Sequence, residues 1–375
     1  MNGYPWGGSE ELWYNTALLL AEKGASVACA VYDWPGKKVK MERLQQAGCT
    51  IYFLPNKKTL NAAAVKKTVQ KMRRKMQLRA AVKALPLLQY DVVIINQGGY
   101  EIYTSPWRKL QQQLKNYVLL FHNYNANQRF SVGQKESLTR WLQGAKANLF
   151  AASRMIVVLE QKLSITIPHA AAFINPITFQ PPASLTAYPA LQNGNFILVV
   201  FAALDVSRKA QDKLIDVLSA QKWRSRNWQL FLYGEGGDRA YLQELIIEKE
   251  LSTNVLLKGH TSSVASAMQE AHLVLQITNI DAMPLSVIEA MAMSRAVVVS
   301  RTGDMPLWVL PGENGWVCYA NKEDIDATLE RAWQQREQWE VMGRRSFALF
   351  KEKFPASPEE NFIRQIERAL SIPES

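Results

Sequence analysis

Short apolar runs without strict alternation recur along the chain, separated by turns and by stretches of helical period. They predict strands buried on both faces of a parallel sheet. In the first half the runs fall at 25–31, 49–54, 91–96, 117–122, 155–159 and 171–174. An amphipathic helix over 10–23, closed by Gly24 where helix ends favour glycine, precedes the first of them. Residues 180–189 are rich in proline and small side chains, which interrupts the rhythm and predicts a linker. Strands then resume at 196–201, 228–233, 255–258, 273–277, 296–300 and 315–319, with helices around 211–220, 239–250, 284–293 and 322–342. The expected fold is α/β, with two doubly wound Rossmann-like domains facing each other across a cleft at the carboxyl ends of their strands. The expected boundaries are 1–180, a linker over 181–189, a second domain over 190–354, and a segment 355–375 whose helix, 359–370, is free to cross back to the first domain.

Doubly wound domains open with a hydrophobic strand that runs into a glycine-rich turn, whereas this chain starts at the turn, Met1-Asn-Gly-Tyr-Pro-Trp-Gly-Gly-Ser-Glu10. The first N-terminal strand is therefore expected to be missing, as though an internal methionine had been taken for the start. The sheet would then have a gap where its most buried strand belongs, and the polypeptide would be poorly stable.

Composition narrows the class. With 375 residues and 48% hydrophobic side chains, two domains can each bury a core without disulfides or structural metal. Cys29, Cys49 and Cys318 are odd in number and form no Cys-x-x-Cys or Cys/His cluster, which points to a reducing, cytoplasmic setting. No run approaches the roughly 18 apolar residues that span a bilayer, and no signal-peptide pattern opens the chain. The charge of +11 favours an anionic partner, whether nucleic acid, an acidic membrane surface or a phosphate-bearing small molecule.

Two stretches could carry chemistry. Gly7-Gly8-Ser9-Glu10 precedes a helix without bulk, so its amides could approach a phosphate or sugar; a bare glycine turn with Ser9 as N-cap is the competing reading. In Asp281-Ala-Met-Pro-Leu-Ser-Val-Ile-Glu-Ala-Met-Ala292, Pro284 suits a first helical turn, which sets the amides of Met283, Leu285 and Ser286 at a positive helix end fit for a diphosphate. Asp281 before that helix and Glu289 within it are acceptors for sugar hydroxyls, or else a capping Asp and a solvated Glu. His122 ends a strand at the expected cleft or is simply packed there, and His169, His260 and His272 offer no metal-ligand spacing.

The second stretch, continued by Arg295-Ala-Val-Val-Val-Ser300 and Thr302-Gly-Asp-Met-Pro306, resembles the donor-site signature of the retaining glycosyltransferases of family 4, which have the GT-B fold. Phe201 to Asp212 looks like that family's second donor stretch, Leu230 to Arg239 like its nucleotide-side loop, Asn314-Gly315-Trp316 like the turn that follows, and Gly7 to Glu10 like its N-terminal loop. The resemblance implies that Lys209 holds the donor diphosphate, with Arg208 beside it, that Glu289 takes the ribose hydroxyls and Asp281 those of the transferred sugar, and that His122 is the N-domain active-site histidine. It implies a hexosyltransferase-like, retaining, metal-independent enzyme without cofactor, moving a sugar from a nucleotide-diphosphate donor to a glycan or lipid-linked acceptor in surface polysaccharide, lipopolysaccharide or glycolipid synthesis. The leaving diphosphate would be stabilised by Lys209 and the helix amides and would itself take the acceptor proton.

The sequence departs from the family at Ala203, which stands for an arginine, at Asp281 for a glutamate, and at Ala282 and Asp304 for glycines. Losing one charge-assisted contact costs about 1.5–3 kcal/mol, so a second reading is a degenerate GT-B protein that binds nucleotide sugar or glycan without turnover. An epimerase or phosphorylase ranks lower, because no pyridoxal-phosphate lysine site or epimerase acid pair is recognisable.

Residues 57–83, from Lys57 to Lys83, hold ten basic residues and no acidic one, with Val65, Val69, Met72 and Met76 at helical spacing. Such a helix can lie on an anionic membrane, where a lipid-linked acceptor resides, as a peripheral contact at the inner face of the cell membrane. The competing expectation is a solvated cationic helix whose apolar stripe packs on its own domain. Nucleic acid ranks last as a partner, since the segment has no interleaved aromatics.

Overall fold

The structure, a computed structural model, describes residues 6, 8–33, 35–55, 67–104, 107, 110–123 and 127–371. The chain divides into two compact units. The first comprises the described residues of 1–123, 127–176 and 356–375, and the second those of 177–355.

In the first unit, β1 (Ala28–Tyr32) and β2 (Thr50–Leu54) form a parallel pair with Ala28 opposite Thr50. A separate parallel sheet holds β3 (Val93–Gly98), β4 (Tyr117–Phe121), β5 (Ala147–Phe150) and β6 (Ala170–Ala172) in sequential order. All five residues of β4 are buried, which is why its run shows no alternation. The helices Gly8–Glu22 and Lys38–Gln46 cover the β1–β2 pair through Tyr14, Ala17, Met41 and Leu44, packed with Cys29, Val31 and Cys49. The helix Pro358–Leu370 starts at Ser357, whose hydroxyl accepts from the Glu360 amide at 3.1 Å, and packs on Gly8–Glu22, where Asn15 Nδ2 donates to Glu359 Oε1 at 3.0 Å.

Two expectations are corrected. Residues 155–159 are not a strand but part of the helix Ser153–Leu163, whose buried Met155, Leu159 and Leu163 recur every fourth position; the strand at this point is β5 instead. A short apolar run fits either period, and the spacing of the buried positions decides it. Likewise 322–342 is not one helix. Lys322–Gln334 ends, a tight turn follows at Arg336–Gln338, and Trp339–Lys353 begins with Trp339 buried against Trp333 and its indole donating to Ala332 O at 2.9 Å. That anchor fixes the break.

The second unit is one parallel sheet of β7 (Phe196–Phe201), β8 (Trp228–Tyr233), β9 (Val255–Gly259), β10 (Leu273–Gln276), β11 (Ala296–Ser300) and β12 (Gly315–Cys318). Its order is β12-β11-β10-β7-β8-β9. The chain winds outward from β7 to β9, then returns to the other side of β7 and winds outward again. The order therefore reverses between β7 and β10, and in open α/β sheets the crevice beyond the carboxyl ends of such a strand pair is where ligands bind.

Among the described residues no helix is long and apolar enough to cross a membrane. The cationic stretch forms the helix Lys67–Lys83; residues 57–66, including Val65, and the side chain of Val69 lie outside what is described. Met72 and Met76 are 64% and 60% exposed, so at these two positions the stripe does not pack on its own unit.

Candidate functional site

Lys209 and Asp281 sit on the two loops at the reversal point. Lys209 closes a single-turn helix, Val206–Lys209, capped by Asp205, whose carboxylate accepts from the Arg208 amide and, at 2.7 Å, from the Ser207 hydroxyl. The loop leaving β10 grips this turn. Arg208 O accepts from Thr278 Oγ1 at 2.6 Å and from the Asn279 amide at 2.8 Å, while Asn279 Nδ2 donates to Ser207 O at 3.0 Å. Lys213 in turn holds Asn279 through its side-chain oxygen at 2.8 Å. These bonds bring the Lys209 ammonium onto Asp281 Oδ2 as an ion pair, with the two side chains 13% and 15% exposed. The other oxygen, Oδ1, accepts from the Ala282 amide at 3.0 Å. Lys209 and Asp281 are therefore direct partners in this structure, where the sequence alone gave them separate parts of a ligand.

Close backbone approach shapes the surrounding loops. Gly303 has φ +54, and a Cβ there would lie 1.6 Å from Ala282 O. Only glycine lets the turn after β11 lie on the Asp281 loop, where the Asp304 amide donates to Ala282 O at 2.9 Å. At Gly236, in the loop after β8, a Cβ would stand 2.2 Å from Leu204 O, and Asp238 Oδ2 accepts from the Val206 amide at 2.8 Å.

The helix expected from Pro284 runs over Leu285–Ala292, with Pro284 as its extended N-cap at ψ 126 rather than within the first turn. The Leu285 and Ser286 amides therefore belong to that first turn, whose N–H groups have no partner inside the helix; Met283 precedes the cap. The Ser286 hydroxyl is committed inward, donating to Gln276 Oε1 at 2.9 Å. Glu289 is the fifth residue of the helix and 3% exposed, so it is not a solvated surface acid. Its Oε1 accepts from the Thr178 amide at 2.9 Å and the Thr178 hydroxyl at 2.6 Å. Burial pushes its pKa up, and the two Thr178 bonds oppose that shift.

Of the other expected residues, Arg208 has an exposed side chain. Ala203 is exposed and brings no cation to this loop. Gly7 lies outside the described residues. Gly8 begins the helix Gly8–Glu22, which places Ser9 inside its first turn, with the hydroxyl donating to Glu10 Oε2 at 2.8 Å; the N-cap expectation for Ser9 is thereby corrected. In the first unit His122 follows β4, its amide donating to Gly98 O at 2.9 Å, and its ring stands edge-on to Phe173 at 5.0 Å. Both ring nitrogens are buried without a hydrogen-bond partner among the described residues, and burial lowers the pKa to about 3, so the imidazole is neutral.

Sequence reasoning missed Thr178, Thr278 and Asn279. For the last two a signal existed, since polar residues directly after a buried strand mark a loop that must be held. Among the described residues no group of three or more His, Cys, Asp or Glu is placed to hold a metal ion.

A cation, two acids and a helix start thus lie where the strand order of this doubly wound unit reverses. Over 98% of its length the chain superposes on 97% of the Anabaena Alr3699/HepE structure in complex with UDP, at a TM-score of 0.69 and 14% identity. Over 99% it superposes on 97% of a glycosyltransferase from Rickettsia africae ESF-5, at a TM-score of 0.71 and 12% identity. The fold is that of the GT-B glycosyltransferases. Residues 189–347 match the family described as glycosyl transferases group 1. The chain is also 32% identical over 93 residues to the poly(ribitol-phosphate) alpha-N-acetylglucosaminyltransferase of Staphylococcus aureus (strain COL). That match takes in 25% of this chain and only 19% of the relative's own length.

Proposed function

We propose that the protein is a retaining, family 4-type glycosyltransferase that moves a sugar from a nucleotide-diphosphate donor to a hydroxyl of a glycan or lipid-linked acceptor. The observation that carries this reading is the Lys209–Asp281 ion pair at the β7–β10 reversal, one turn of chain ahead of a helix that buries Glu289. In the proposed complex the Lys209 ammonium and the Leu285 and Ser286 amides take the diphosphate, with Arg208 free to reach it. Glu289 accepts the ribose hydroxyls and Asp281 those of the transferred sugar. The bond from the anomeric carbon to the diphosphate oxygen breaks, the acceptor oxygen bonds to that carbon on the same face, and the departing diphosphate takes the acceptor proton. Charge on the leaving group is met by lysine and helix dipole. In the first unit His122, neutral and with both ring nitrogens unpartnered among the described residues, is the residue proposed to orient a sugar hydroxyl. The relative named for poly(ribitol-phosphate) supports a surface-polymer acceptor.

Thermal shift with a panel of nucleotide sugars tests the donor site, because a ligand of the folded state raises the melting point by mass action. Lys209→Ala should abolish, and Glu289→Ala should reduce, the shift given by the parent's best donor. Folded variants that respond like the parent would end this assignment. A second reading, binding without turnover, is favoured by the exposed Ala203 in place of an arginine. Assays of donor hydrolysis and sugar transfer separate it from the first.

The exposed Met72 and Met76, beside Arg73 and Lys75 on the Lys67–Lys83 helix, favour an anionic membrane as the place where a lipid-linked acceptor is met. Replacing both methionines by aspartate adds two negative charges and should reduce affinity for phosphatidylserine vesicles in co-sedimentation about thirtyfold, at roughly 1 kcal/mol per charge near the surface. Stability should change by no more than about 0.5 kcal/mol. Equal vesicle binding by the parent and this variant would remove the membrane from the proposal.

A further inference from the structure

We propose that Thr178 is a positioning residue that aims Glu289 at the donor ribose. The inference rests on the reading of Glu289 as the ribose acceptor and adds a residue and a geometric reason to it.

Glu289 is anchored at its backbone by a helix whose neighbouring positions, Val287, Ile288, Ala290 and Met291, are all buried. What remains adjustable is the rotation of its carboxylate, which is broad and roughly two-fold in an unrestrained glutamate. Thr178 removes that freedom. Its amide and its hydroxyl, at 2.9 and 2.6 Å, donate to the same oxygen, Oε1. Two donors on one oxygen fix the carboxylate plane and leave the second oxygen, Oε2, with no bond to the described residues. Oε2 is also not among the atoms sealed from solvent without a partner. A carboxylate held only to offset its own burial would engage both oxygens, whereas here one is held and the other is presented.

The division suits a ribose, whose two neighbouring hydroxyls need an acceptor with a fixed direction. The same bonds favour the carboxylate form that can accept, opposing part of the upward pKa shift that burial imposes. Thr178 itself is exposed, so its value to the core is small. Its partner lies 111 residues away in sequence, on a helix that starts at the proposed diphosphate end of the site. Thr178 touches no reacting atom in this scheme; it acts through Glu289.

The test is ribose discrimination, measured by calorimetry with UDP, GDP and ADP and with the 2′-deoxy form of each, on the intact protein. For whichever nucleotide binds, the parent should prefer the ribose form about tenfold, the worth of one hydrogen bond to a charged group. Thr178→Val keeps the amide and removes the hydroxyl. It should weaken the ribose form several-fold, leave the deoxy form nearly unchanged, and so shrink the preference towards unity. Thr178→Ser should restore it. A Thr178→Val protein that keeps the preference, or that loses both forms equally as a merely structural change would, overturns the inference while Glu289→Ala still abolishes the preference. If Glu289→Ala keeps the preference, or the parent binds none of the three nucleotides, the donor-site reading underneath fails instead.

Discussion

The polar groups at the β7–β10 reversal and the imidazole of His122 are partnered in opposite ways. Around the reversal, Lys209, Asp281, Glu289, Ser286 and Asn279 each bond to another residue of their own unit. His122 is buried, as Glu289 is, yet neither ring nitrogen has a partner among the described residues. The difference has consequences for any ligand. At the reversal a ligand must exchange with bonds already made, above all the ion pair, so its affinity is a difference between two sets of contacts. At His122 a hydroxyl would meet a desolvated group that makes no bond to the described residues, and even one hydrogen bond there removes an unsatisfied polar atom.

The firmest way to break this comparison is to disturb the frame of the reversal. Gly303→Val forces a β-branched residue into φ +54 and drives its Cβ into Ala282 O. With backbone strain and a steric clash at one position, the expected loss is about 4 kcal/mol in urea denaturation, accompanied by loss of nucleotide binding. Gly237, where an added Cβ meets nothing within 4 Å, is the control: Gly237→Ala should stay within about 1 kcal/mol of the parent. Equal losses at both glycines would mean that the turn after β11 does not depend on its close approach to the Asp281 loop.

The exchange itself is sharpened by Asp281→Asn, which keeps the side-chain shape and removes the anion from Lys209. A nucleoside diphosphate carrying no sugar should then bind about tenfold more tightly, because its phosphate no longer competes with a charge-assisted bond. Transfer activity should fall in the same variant, since the proposed acceptor of the sugar hydroxyls is weakened. Weaker binding of the bare diphosphate would show that Asp281 supports the cation's position more than it occupies it.

How much of this was readable in the chain follows from distance in sequence. Asp281 and Glu289 lie eight positions apart around a proline, and buried strands flank them, so local pattern located both acids and the helix between them. Their partners were not local. Lys209 was placed near the diphosphate, but that it pairs with Asp281 depends on the grip of Thr278 and Asn279 on Arg208 O, some 70 residues away. Thr178 is farther still and has no periodicity to announce it. The run 155–159 reads as a strand although it lies in the helix Ser153–Leu163, because five apolar residues fit either period, and only burial at Met155, Leu159 and Leu163 shows which one holds. Exposure of Met72 and Met76 could not be read from a stripe that has the same spacing whether it is covered or bare.

The smallest of the expected effects concerns the other side of the comparison. Burial holds the folded-state pKa of His122 at about 3, below the value of about 6.5 in an unfolded chain. Between those limits the unfolded state binds a proton that the folded state refuses, so stability falls as pH drops from 6.5 towards 3 and is not lost above 6.5. One such group contributes a slope of about 1.4 kcal/mol per pH unit at most, and the buried His272, with its pKa lowered to about 4, adds its own over a narrower window. His122→Phe replaces the ring by one that suits the edge-on contact with Phe173 and takes up no proton. Its stability, followed by urea denaturation from pH 7 to pH 4, should fall less steeply than the parent's by about 1 kcal/mol per unit, with nucleotide binding unchanged and sugar transfer reduced. A parent and variant with parallel acid profiles would mean that the imidazole is not desolvated as the fold places it, and the contrast between the two regions would then lose its second term.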